Sequence, residues 1–202
     1  MMTLLPVDAE TPRSLVLDPQ LTDCEFEALC AANDWFRFER TREGEILMNP
    51  PAGGFTSSGS SEINGQLRFW WKTHRRGIVF DSSAAFFLPD GSVLSPDTAY
   101  VLPKKLEELK KDDLTGFPRL CPDFVVELLS KSDSVPKARE KMERWIENGA
   151  ALGWLVDPHK QKVYVCEPGR EAAVVSGKAV HGTGPVEGFA LDLDELWRCY
   201  KI

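Results

Sequence analysis

Residues Phe124-Val125-Val126-Glu127-Leu128-Leu129 set one carboxylate inside an otherwise apolar run, and this constrains the fold more than any other stretch of the chain. Side chains of a β-strand alternate between faces, so Val125, Glu127 and Leu129 point one way and Phe124, Val126 and Leu128 the other. Apolar residues on both faces predict a strand buried within a sheet. An ionised Glu left unpaired in such a place is costly. It needs a cation, a metal ion or a hydrogen-bond network.

Two other segments offer partners. Ser95-Pro96-Asp97 opens a second strand-like run, Thr98-Ala99-Tyr100-Val101, and Lys141 sits at the edge of an apolar stripe formed by Ala138, Met142, Trp145 and Ile146. An Asp, a Glu and a Lys brought together by two strands and a helix are the parts of a metal-dependent phosphodiesterase site. Hard Mg²⁺ or Mn²⁺ takes carboxylate, carbonyl and water oxygens in octahedral geometry. Asp97 and Glu127, with the main-chain carbonyl of Leu128 as third ligand, would bind it. Such an ion polarises a phosphoryl oxygen and lowers the pKa of a bound water, and Lys141 would orient that water or stabilise the developing charge. Each residue also has an ordinary reading. Lys141 could snorkel along Trp145, Glu127 could sit in a structural ion pair, Asp97 could be a turn residue, and Glu62 a first-turn acid favoured by the helix dipole. One site would account for all four together.

The chain of 202 residues, 43% hydrophobic and 27% charged, has the make-up of one globular domain. We expect a loose arm over 1–20 and a single domain over 21–202. No window approaches the ~20 apolar residues of a membrane span, and the N-terminus lacks the basic start and apolar stretch of a signal peptide. Cys24, Cys30, Cys121, Cys166 and Cys199 are odd in number, scattered and never in a Cys-x-x-Cys pair. That argues against a zinc site or a disulfide framework, and for a reducing compartment, read as the cytoplasm. A net charge of −7 and a pI near 5.1 count against a protein that coats nucleic acid by general electrostatics. They leave room for a nuclease, whose site carboxylates a bound metal offsets. The basic clusters at 72–76, Lys104-Lys105 and Lys110-Lys111 read first as solvated helix ends or loops.

Along the chain, Thr22 or Asp23 caps a first helix over 25–30, and 36–40 and 45–48 form a hairpin around Glu43-Gly44. Residues 50–54 break the structure. Ser58 to Ser61 cap a helix from Glu62 to about Lys72, with Ile63, Leu67, Trp70 and Trp71 at helical spacing. Strands over 78–80, 85–88 and 93–94 and a charged helical excursion over 103–111 precede the buried strand. Ser132, Ser134 and Pro136 open a helix over 137–148 that Gly149 closes. Strands at 153–158 and 162–166 follow, and the chain closes on Leu196-Trp197. The order predicts an α/β domain with a mixed sheet and helices on its faces. His74, His159 and His181 stand at no zinc spacing, and no nucleophile elbow, P-loop or dinucleotide fingerprint appears.

Ordered motifs carry a resemblance. Gly44-Glu45-Ile46, Glu62-Ile63-Asn64 with Gln66-Leu67, Ser95-Pro96-Asp97, Pro122-Asp123 with Val125-Val126-Glu127, Ser130, Lys141 and Gly153-Trp154-Leu155-Val156-Asp157-Pro158 look like the Uma-two family. This is a restriction-endonuclease-like family of the PD-(D/E)XK nuclease superfamily, formerly a domain of unknown function, and the likeness covers residues 20 to 170. It implies a restriction-endonuclease-like core, a mixed four-stranded β-sheet flanked by helices, and a metal-dependent nuclease site acting on DNA. Asp97 matches the first motif Asp, Glu127 the second acid and Glu62 the first-helix acid. The superfamily lysine, two residues after the second acid, is here Leu129, and Lys141 on the following helix matches instead. DNA is the expected partner, a homodimer is open, and no membrane is expected. Two rivals stand beside this reading: a non-catalytic nucleic-acid-binding or protein-interaction domain on the same fold, and a structural network of buried ion pairs.

Overall fold

The computed structural model describes residues 13–17, 20–33, 36–109, 111–131 and 133–201. Most of the expected arm, Lys110 and the helix-opening Ser132 lie outside these residues. The first half of the chain forms β1 (Arg13–Leu15), α1 (Asp23–Ala32), β2 (Arg37–Arg40), β3 (Ile46–Asn49), α2 (Gly54–His74), β4 (Ile78–Asp81), β5 (Phe86–Phe87), β6 (Val93–Leu94), β7 (Thr98–Val101) and α3 (Pro103–Glu107). The second half forms β8 (Phe124–Leu128), α4 (Val135–Glu147), β9 (Leu152–Asp157), β10 (Lys162–Cys166), β11 (Ala173–Val175), β12 (Ala179–His181), β13 (Ala190–Asp192) and α5 (Leu193–Arg198).

Local chemistry explains several boundaries. Thr22 caps α1 in a reciprocal box with Glu25, whose carboxylate accepts the Thr22 N–H at 2.8 Å. Gly44 turns the β2–β3 hairpin at φ +84°, a conformation that side chains disfavour. α2 begins at Gly54, earlier than the serines suggest, and no side chain caps it. The extra turn is fixed from outside the helix. Phe55 stacks on Tyr200 with centroids 6.1 Å apart, and Gly59 sits so close to the Tyr200 hydroxyl that a Cβ there would lie 2.5 Å from it.

A six-stranded mixed sheet runs in the order β11-β10-β9-β8-β7-β4, two strands wider than the four-stranded core that the resemblance implies. Within it β8 and β9 are parallel and the other neighbours antiparallel. A second, five-stranded antiparallel sheet, β1-β3-β2-β6-β5, went unforeseen because its strands are short and pair across distant parts of the chain.

β8 has the two buried faces expected of it. Phe124, Val126 and Leu128 join Ile63 and Leu67 of α2 and Leu196 and Trp197 near the C-terminus in one core. Val125 and Leu129 join Met142 and Trp145 of α4 and Phe86 and Leu94 of the second sheet in another. A third cluster seats Phe26 of α1 on Ile46, Phe87 and Val93. Glu127 therefore emerges on the α4 side, where the two sheets meet.

Candidate active site

The link from β6 to β7, Ser95-Pro96-Asp97, carries the chain from the five-stranded sheet into the six-stranded one. β7 and β8 pair antiparallel with Thr98 opposite Val126, which brings Asp97, just ahead of β7, beside Glu127 and Leu128 at the end of β8. Asp97 continues the ladder where β7 ends. Its N–H donates to the Val126 carbonyl at 3.1 Å, and its Oδ2 accepts the Leu128 N–H at 2.7 Å.

α4 lays Lys141 over this pair. Its Nζ donates to the Ser95 carbonyl at 2.7 Å and to Glu127 at 3.1 Å, and lies 2.9 Å from Glu39 Oε1. One turn further on, Trp145 donates its indole N–H to Glu127 Oε1 at 2.8 Å. Apolar burial of Met142 and Trp145 fixes the rotation of α4, and that rotation aims Lys141 inward. The lysine is neither in open solvent nor merely snorkelling.

Glu39 is the member that sequence reasoning missed. It comes from β2, is buried, and accepts the Ser95 N–H at 2.8 Å and an Asn49 amide N–H at 3.2 Å. Arg37 and Glu39 alternate with Phe38, a pattern that reads as the wet face of a hairpin; tertiary packing covers it. The signal available was one acid between two arginines on an alternating strand, which by itself is common.

Three carboxylates around one ammonium make the site electrostatically unbalanced. Burial pushes the Glu127 carboxyl up to about 8; Lys141 pulls it back, while Asp97 and Glu39 push it further. Asp97 is raised by burial too, against the Leu128 N–H, Lys141 and Arg37. Burial alone would lower the Lys141 ammonium, but Glu127 and Glu39 outweigh it and hold the group well above its ordinary value. The cluster thus keeps one fixed cation and attracts a further positive charge, a proton or an ion.

The remaining predicted residue stands apart. Glu62 lies on α2, where it accepts the Gln66 amide N–H at 2.9 Å; among the described residues no hydrogen bond or ion pair joins it to the cluster. Leu128 contributes its backbone, and Leu129 fills the core beside Met142. Asp123 has a separate structural duty at the opposite end of β8, accepting the Leu102 N–H at 2.8 Å and pairing with Lys105 at 3.2 Å.

A mixed sheet flanked by helices, with two neighbouring carboxylates and a lysine at its junction with a second sheet, makes this a mixed α/β protein with an acidic cluster where its sheets meet. The family model Uma2, described as "Putative restriction endonuclease", matches residues 24–194, and the chain belongs to that family. A crystal structure described as a "putative nuclease belonging to DUF820" from Anabaena variabilis ATCC 29413 is similar at 23% identity, with a TM-score of 0.68, covering 80% of this chain and 90% of that one. That likeness speaks for the fold. Among curated proteins there is no match. No helix among the described residues is long and apolar enough to cross a membrane.

Proposed function

We propose that this chain is a Mg²⁺- or Mn²⁺-dependent endonuclease that hydrolyses DNA phosphodiester bonds in the cytoplasm, at the cluster of Asp97, Glu127 and Lys141. The observation that carries the reading is the gathering of Asp97 and Glu127 at the end of β8, beneath a lysine shared with Glu39.

The donor set suits a hard cation. Asp97 spends Oδ2 on the Leu128 N–H and has no described hydrogen bond on its other oxygen. Glu127, raised to about 8, would exchange its proton for the ion. Among the described residues no three His, Cys, Asp or Glu side chains are grouped to hold a metal, so the main-chain carbonyl of Leu128 completes the proposed set. Bound there, a divalent ion supplies Lewis acidity toward a phosphoryl oxygen and acidifies a water. The chain's own groups do the rest. Trp145 fixes the rotamer of Glu127. Lys141 eases the ionisation of Glu127 when the ion displaces its proton, and presents an N–H to charge developing on the phosphoryl group. Glu62 is assigned an auxiliary acidic role from α2. The reading is open to a homodimer.

Plasmid nicking with Mn²⁺ tests it. Wild type should nick, Asp97→Asn and Lys141→Ala should each be slower by about 10²–10³, and Lys104→Ala should lose only a salt-dependent contact. Equal nicking by wild type and both site variants contradicts the assignment. A folded wild type that binds DNA and never cuts with any metal favours the non-catalytic reading, for which Leu129 in the place of the superfamily lysine is the specific support.

A further inference from the structure

The C-terminal part of α2 gathers positive charge in a chain whose net charge is −7. From Ile63 to Phe80 there is no Asp or Glu, while Arg68, Lys72, His74, Arg75 and Arg76 all fall in this stretch. Arg68 and Lys72 stand at i and i+4 on one side of α2, with Phe69 next to Arg68, and Arg75, the left-handed C-cap, and Arg76 follow directly at the helix end. All these side chains are exposed, Phe69 at 74%, whereas Ile63 and Leu67 bury the opposite face. Like charges at helical spacing oppose the helix. Among the described residues none of Arg68, Lys72, Arg75 or Arg76 has an ion-pair partner to relieve that.

The stripe is held rigid. The Arg75 N–H donates to the Trp71 carbonyl at 2.6 Å, the Trp71 indole N–H to the Gly77 carbonyl at 3.1 Å, and the Tyr100 hydroxyl to the Arg76 carbonyl at 2.8 Å. Gly77, at φ +66°, lets the turn press against the Val101 carbonyl, which a Cβ would meet at 2.2 Å. The Arg68 guanidinium lies over the Trp71 ring, 4.7 Å from its centroid. The backbone that carries these cations is thereby fixed, which removes part of the ordering cost of binding a polyanion.

We infer that this stripe is a docking surface for a nucleic-acid strand, gripped through its phosphates by Arg68, Lys72, Arg75 and Arg76, with Phe69 offered to a base. Four cations between positions 68 and 76 suit the closely spaced charges of a phosphate backbone. An exposed aromatic ring among them suits base stacking and serves no purpose for a purely acidic peptide. The surface is separate from the carboxylate cluster. α2 passes Leu128 at Gly59, in its N-terminal part, and ends beside Tyr100 and Val101 at the other end of the strands. The stripe therefore lies about 14–25 Å along the axis from Gly59, and it would seat a second stretch of whatever nucleic acid enters the acidic site. The inference shares the nucleic-acid partner of the proposed function but does not require cleavage.

The test is anisotropy titration of labelled 20-mer single-stranded and duplex DNA in EDTA, over a range of salt. The variant R68Q/K72Q/R75Q/R76Q should bind at least ten-fold more weakly, with the slope of log K against log salt smaller by about three. A control variant, K160Q/K162Q/R170Q/K178Q, removes the same charge elsewhere and should stay within about three-fold of wild type. Phe69→Ala should cost about ten-fold on single strands and less on duplex. The inference is overturned if the two quadruple variants behave alike, if wild type binds neither DNA, or if poly-glutamate binds the stripe as tightly as DNA. Binding through the stripe without any nicking would remove the nuclease and leave the stripe. Nicking by wild type, with binding unimpaired in the stripe variant, would do the reverse.

Discussion

Lys141 answers to two carboxylates and a carbonyl at once, with 26% of its side chain exposed. Removing it leaves Glu39 and Glu127 buried without their cation, and breaking a buried pair from one side costs on the order of 3 kcal/mol. Lys141→Ala should therefore lower the unfolding free energy from urea titration by about that amount near pH 8.5, where Glu127 is ionised. The loss should shrink toward pH 6, where Glu127 holds a proton instead. A pH slope in the wild type follows from the same group. Its folded carboxyl sits near 8 against an ordinary 4.5, so between these values the folded state holds more protons than the unfolded one. Stability is then fully present below about 4.5 and is lost as pH rises toward 8, by up to about 1.4 kcal/mol per unit. Asp97, also raised, adds to the same sign; Asp23, Asp81 and Asp90 are lowered and act at more acid pH. Glu127→Gln in EDTA should flatten the slope across pH 5–8, and an unchanged slope would assign it to other groups. Glu127 and Lys141 were legible in the sequence because each broke a local pattern. Glu39 was not, since its strand looks like an ordinary wet hairpin until a second sheet closes over it.

At the scale of elements, α2 owes its first turns to a glycine. Ala is normally better than Gly inside a helix by up to about 1 kcal/mol, yet at position 59 a Cβ would meet the Tyr200 hydroxyl at 2.5 Å and Leu128 Cδ2 at 3.1 Å. Gly59→Ala should thus destabilise by about 1–3 kcal/mol, the range of overpacked cores. Tyr200→Phe, which removes the nearest atom, should recover a good part of the loss. A double-mutant cycle by urea denaturation measures the coupling; additive effects would show that the contact is slack. The same contact explains why the start of α2 was misread. Pro50 to Gly54 look like a break and the serines look like caps, while the reason for helix at Gly54 lies 140 residues away in the chain's last turn. β8, α4 and β9 were legible with near-correct bounds because burial on both faces, an apolar stripe and a closing Gly149 are local signals. Lys105 was read as surface, yet it is bound to Asp123 and to the carbonyls of Cys121 and Gly149.

At the scale of the molecule, two sheets and α4 converge on one acidic point: β2 gives Glu39, the link between β6 and β7 gives Asp97, β8 gives Glu127, and the helix gives Lys141. The mixed sheet could be anticipated from the order of strands and helices. The five-stranded sheet could not, since β2 meets β6 through the single pairing of Arg40 with Val93 and β5 and β6 have two residues each. An ion that binds only the folded protein adds RT ln(1 + [L]/Kd), about 2.7 kcal/mol at one hundred times Kd. For a chain of this size that raises the thermal midpoint by roughly 5–11 °C. Mg²⁺ and Mn²⁺ should do so at pH 8 more than at pH 6, where Glu127 keeps its proton, and EDTA or Asp97→Asn should abolish the gain. Identical midpoints in all conditions would support a purely structural network. The most direct measurement of the central claim is anomalous diffraction at the manganese edge from crystals soaked in Mn²⁺. The account predicts a peak within about 2.5 Å of carboxylate oxygens of both Asp97 and Glu127, absent from Asp97→Asn crystals. Full soaking with no peak between these two residues, or a peak only elsewhere on the protein, would contradict it.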